Sequence, residues 1–89
     1  MDVDDLRREL RNLYDDVRQQ RDEMRVRIHL AGSEAKEVWE EMEKKWGNFE
    51  ARSEQMLDEA KDAGGDIAEA AKLLGSEINQ GYKRLRRLL

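Results

Sequence analysis

The groups with chemical potential crowd into one stretch, His29 to Glu50, which reads HLAGSEAKEVWEEMEKKWGNFE. Glu34, Glu37, Glu40, Glu41 and Glu43 stand there close enough to suggest the carboxylate-bridged metal pair that helical bundles can hold. That chemistry needs Glu-x-x-His motifs from two helices and further glutamates, all facing inward. The sequence has a single histidine, His29, and Val26 occupies the place three residues before it. The five acids fall mostly off the apolar positions and read as a solvated helix face. Ser33, Ser53 and Ser76 lack a partner base, there is no cysteine nucleophile, and the glycines follow no strand that could present a phosphate loop. No catalytic, cofactor-binding or metal-binding residue is therefore assigned, and a non-enzymatic protein is expected.

What positions these residues is a helical pattern. From Met24 onward apolar or small residues recur in steps of three or four: Met24, Ile28, Ala31, Ala35, Trp39, Met42, Trp46, Phe49, then Ser53, Met56, Ala60, Ala63, Ile67, Ala71, Leu74, Ile78, Tyr82, Leu85 and Leu89. The mean step of about 3.6 is the period of a straight α-helix. Only Ser53 interrupts the row. Val3, Leu6, Leu10, Leu13 and Val17 extend it upstream, until Gln20 and Arg21 weaken it. Strand-like alternation is missing, so the fold class is all-α.

The stripe keeps its phase across Gly32-Ser33, which a hairpin turn would not require. A glycine inside a helix costs only about 1 kcal/mol relative to alanine. A continuous helix is therefore expected from about residue 3 to 62, a break at Gly64-Gly65, and a shorter helix from about 66 to 88, all in one helical domain spanning 1–89. Gly64 suits a helix C-terminus, and Asp66 with Glu69 resembles a capping box. Gly47-Asn48 is a weaker punctuation mark. At 1.5 Å per residue the first helix would be roughly 90 Å long and the second roughly 35 Å. The short helix covers less than half of the long one's stripe, so a coiled-coil-like homo-oligomer is expected. The alternative is a three-helix bundle with turns near Gly32-Ser33 and Gly64-Gly65. Ser33 would serve as an N-cap there and Gly32 as the residue closing the preceding helix.

Composition agrees with long helices. Ala, Glu, Lys, Leu and Arg make up just over half of the 89 residues, and proline is absent. No apolar run could span a bilayer, and the start MDVDDLRREL has none of the regions of a signal peptide, so a cytoplasmic location is the default expectation. The net charge of −4 argues against nucleic acid as a partner. The ending GYKRLRRLL concentrates Lys83, Arg84, Arg86 and Arg87 beside Ile78, Tyr82 and Leu85, a candidate contact for an anionic surface.

The segments LAGSEAKEVWEEMEKKWGNFEAR and GGDIAEAAKLLGSEINQGYKRLRRLL together resemble small bacterial coiled-coil proteins of unknown function, some described as stress-induced or apolipoprotein-like. The resemblance implies an all-helical, cytoplasmic, non-enzymatic protein and carries no site residues. The functional expectation is a self-associating structural or protein–protein interaction module. Its seam would comprise Met24, Ile28, Trp39, Met42, Trp46, Phe49, Met56, Ile67, Leu74, Ile78, Tyr82 and Leu85. Another helical protein is a further candidate partner. A peripheral lipid-surface binder is the alternative function.

Overall fold

A computed structural model describes residues 3–57 and 65–89. The described chain is all-helical: α1 spans Val3–Ile28, α2 Ser33–Leu57 and α3 Gly65–Leu88. Among the described residues no strand occurs. The three helices have nearly equal lengths of 26, 25 and 24 residues. They pack side by side into a body 43 × 18 × 17 Å, about one helix length long. Arg21 of α1 meets Glu43 of α2, and Lys45 of α2 meets Glu77 of α3. Glu9 and Glu23 of α1 meet Lys72 and Arg86 of α3. These pairings make α2 antiparallel to both neighbours and set α1 parallel to α3.

The expected unbroken helix over 3–62 is thus replaced by a turn at residues 29–32, and the three-helix alternative is the arrangement adopted. Leu30 and Ala31 donate backbone hydrogen bonds to Arg27 and Ile28, closing the end of α1. The amide of Lys36 donates to the Gly32 carbonyl, so Gly32 occupies the N-cap of α2 and Ser33 is its first helical residue. No glycine in the described residues has a positive φ, so Gly32 is not the left-handed closing residue expected of it. In-phase apolar residues fail to distinguish the two arrangements, because both faces that flank the turn end in the same core. Of the expected break at Gly64-Gly65, Gly64 lies outside the described residues, and Gly65 already begins α3. Gly47-Asn48 does not interrupt α2.

The core runs the length of the body. Leu10, Val17, Met24 and Ile28 face inward from α1. From α2 come Ala35, Val38, Met42, Trp46, Phe49 and Met56, and from α3 Ala68, Ala71, Ile78, Tyr82 and Leu85. Small residues bring α3 close to its neighbours. A Cβ built on Gly75 would come within 2.6 Å of Leu13 Cδ2 and 3.0 Å of Phe49 Cε1, and one on Gly81 would overlap the Met42 sulfur. Gly47, by contrast, faces open space. Ser53 is the buried polar exception, fully enclosed with its hydroxyl lacking a hydrogen-bond partner.

Urea denaturation followed by circular dichroism checks these roles. Gly47→Ala is expected to stabilise by about 1 kcal/mol, the helix gain alone. Gly81→Ala is expected to destabilise by about 1 to 2 kcal/mol, overpacking outweighing that gain. Ser53→Ala removes a buried hydroxyl with no partner and should stabilise by about 1 kcal/mol or more; a loss of stability there would show that the hydroxyl is satisfied in solution.

Candidate interaction surface

The seam residues singled out in the sequence lie between the helices of one chain. Met24, Ile28, Met42, Trp46, Phe49, Met56, Ile78, Tyr82 and Leu85 are buried, while Trp39, Ile67 and Leu74 are partly buried and pack against that core. Helix α1 supplies the cover that a second copy was expected to provide. Two positions shift by one residue. Val38 is buried where Trp39 was expected, and Ala68 where Ile67 was. In each case the smaller side chain points to the axis and the larger lies along the flank.

Around Trp46 the core carries a polar and aromatic cluster that the sequence pattern did not disclose. Tyr14 on α1 stacks obliquely against Trp46 and Phe49, with ring centroids 5.4 and 5.8 Å apart, and Trp46 meets Phe49 edge-on at 5.8 Å. The Arg21 guanidinium lies 5.1 Å from the Trp46 ring centre and donates from Nε and Nη2 to the two carboxylate oxygens of Glu43, at 2.7 and 2.9 Å. This bidentate pair has the geometry in which arginine is strongest. Its hydrogen bond to Glu43 holds the guanidinium charged, raising its pKa further. Glu43 is therefore half-buried and paired, unlike the solvated acid expected of that stretch. One residue earlier the Gln20 amide donates to Asp16 and, at 2.8 Å, to Asn79 of α3. Gln20 and Arg21, read as a weakness in the stripe, are the residues that lock α1 to both partners. Their signal was position: polar groups in the phase of a buried row need partners.

Of the exposed large apolar residues, Val26, Leu30 and Leu89 lie at the turn end, while Leu73 stands apart in the first half of α3. Val26 and Leu30, one helical turn apart in sequence, are 74% and 96% exposed. A shallow groove there is lined by Arg27, Leu30, Ala31, Gly32, Leu88 and Leu89. The ends of α1 and α3 carry Arg25, Arg27, Arg86 and Arg87 in their last turns. Lys83, Arg84, Arg86 and Arg87 are all exposed, and Arg86 lies 3.6 Å from Glu23 of α1. The apolar half of the α3 amphipathic face, Ile78, Tyr82 and Leu85, is buried in the bundle and is not presented outward with them. Among the described residues there is no cluster of three or more potential metal ligands, and no helix is long and apolar enough to cross a membrane.

Comparison with protein-family models, with curated proteins and with solved structures finds no match.

Tyr82 yields a pH-dependent test. Its hydroxyl is buried without a hydrogen-bond partner. Burial first, and then the nearby Glu43 carboxylate, push its pKa up from the ordinary 10.0, against a smaller opposing effect of Arg21. Ionisation is thus disfavoured in the folded state. The resulting stability is present in full below the unfolded value near 10 and is lost as pH rises above it. Thermal melts should show alkaline destabilisation beginning near pH 10 that is reduced in Tyr82→Phe. At pH 7 the same variant should match or exceed the parent in stability, since no hydrogen bond is removed.

Proposed function

We propose that this chain is a non-enzymatic helical interaction module that associates with a second copy of itself. Val26 and Leu30 carry the reading: two large apolar side chains stay in water beside a core already complete without them. Helices in bundles ordinarily turn such residues inward. A two-fold contact would pack this pair against its own image. Asp22, Glu23 and Glu34 lie within two turns of the patch, as do Arg25 and Arg27, so both signs of charge are at hand to pair across the axis. Burying two such side chains per copy contributes on the order of 1.5 kcal/mol or more for each. The double variant Val26→Gln, Leu30→Gln should therefore weaken association at least about tenfold. Analytical ultracentrifugation over a concentration series measures this, with circular dichroism expected to be unchanged. Parent and variant of identical mass at every concentration would end the proposal.

One observation favours a second reading, contact with an anionic lipid surface: the exposed Lys83, Arg84 and Arg87 lie in the last two turns of α3, whose end borders the groove lined by Leu30, Leu88 and Leu89. Basic side chains beside a few apolar ones suit attachment to such a surface. Co-sedimentation with phosphatidylserine vesicles at low salt tests it. Binding that is lost in Lys83→Gln, Arg84→Gln, Arg87→Gln supports it, and a protein left wholly in the supernatant rules it out.

A further inference from the structure

The turn between α1 and α2 is held locally by little more than Gly32 at the N-cap of α2 and two backbone hydrogen bonds. Residues 29–32 contain no proline, and no described residue has a positive φ. A Cβ on Gly32 would meet nothing within 4 Å, and His29, Leu30, Gly32 and Ser33 are exposed. The two turn hydrogen bonds, from Leu30 to Arg27 and from Ala31 to Ile28, are of the kind that also end a helix.

The residues on either side are meanwhile arranged for continuity. Met24 and Ile28 of α1 and Ala35, Val38 and Met42 of α2 are all buried in the closed bundle. If residues 29–32 became helical, Ile28 and Ala35, seven residues apart, would differ by only about 20° around one rod. The two inward faces of the bundle would then form one unbroken apolar side. That register suits the closed bundle and the rod alike, so the same two faces can pack in either form.

We propose that this chain exchanges α1 between two copies, residues 29–32 becoming helical and α1 joining α2 in one rod. Because α1 and α2 are antiparallel in the closed form, two such rods crossing on a two-fold axis at the hinge place α1 of each copy beside α2 and α3 of the other. Direction and register are preserved. The contacts of Arg21 with Glu43 (2.7 Å), of Lys72 with Glu9 (2.6 Å) and of Gln20 with Asn79 (2.8 Å) re-form between copies. Swapping an identical element in this way is a low-cost route to a dimer. Ala31, Gly32, Ser33 and Ala35 are small and allow the rods to approach at their crossing. The rod would be about 80 Å long at 1.5 Å per residue, against 43 Å for the closed bundle. This deepens the self-association reading but does not depend on the Val26–Leu30 patch.

Two hinge substitutions act in opposite directions. Gly32→Ala favours helix at the hinge and weakens an N-cap of the closed form. Across two hinges it should lower the dimer dissociation constant about thirty-fold. Ser33→Pro suits the first position of α2 but breaks a continuous rod, so it should leave a folded monomer. Small-angle scattering and ultracentrifugation read both, with circular dichroism verifying the helix content of each variant. A Gly32→Ala dimer with a maximum dimension well above 43 Å, which separates into monomers only slowly after dilution, supports exchange. A Gly32→Ala chain that stays monomeric at every concentration overturns it, whatever the fate of the proline variant. So does a dimer that survives in folded Ser33→Pro; if that dimer is lost on Val26→Gln, Leu30→Gln, the surface patch is responsible and the exchange is not.

Discussion

The bundle depends on how closely α3 can approach the other two helices. Gly75 and Gly81 put bare backbone against Leu13, Phe49 and Met42, and Ala68 and Ala71 continue the same small-sided row. That row lets one helix of ordinary length settle between two others without displacing their large side chains. Bulk is distributed unevenly as a result. Helix α2 contributes Trp46, Phe49 and two methionines, and α3 sets Gly75 against Phe49 and Gly81 against Met42, with Ile78, Tyr82 and Leu85 filling the core between and beyond them. Such large-against-small pairing reaches interior packing density with no strained rotamers.

The all-helical class was legible because a period near 3.6 leaves no room for strands. The arrangement of the helices was not. Phase continuity through Gly32 is compatible with a rod and with a turn whose arms share one core. Distinguishing them requires knowing whether α1 can cover α2, which depends on contacts between residues far apart in sequence. The polar locks were hidden for the same reason. Gln20 gains meaning only beside Asn79, and Arg21 only beside Glu43 and Trp46. The ion pairs were hidden likewise: Glu23 reaches Arg86 and Lys45 reaches Glu77 on another helix, while Arg8 approaches Asp5 within α1. Of the seam expected to meet a partner, each member contributes to the core or packs on its edge. The exposed patch at Val26 and Leu30 escaped notice because Val26 and Leu30 stand outside the main stripe.

Directional polar groups and exposed apolar groups are thus divided between two regions. Inside, directional groups such as the Arg21–Glu43 fork fix which helix faces which, in a setting where misalignment by one turn would strand a charge. At the turn end, apolar side chains and charges of both signs lie exposed instead. Ser53, enclosed without a hydrogen-bond partner, marks a place where the core gives up some stability.

An odd number of helices has an electrical consequence. With α1 and α3 parallel and only α2 opposed, the backbone dipoles do not cancel; one helix's worth remains, negative at the turn end. The side chains run against it, with Asp4 and Asp5 opening α1 and arginines closing α1 and α3. These four arginines, offset by Glu34 in the first turn of α2 and by Glu23 beside Arg86, stand against two helix ends of about half a charge each. The helix dipole and the arginines that close α1 and α3 thus oppose one another at the turn end, and each offsets part of the other.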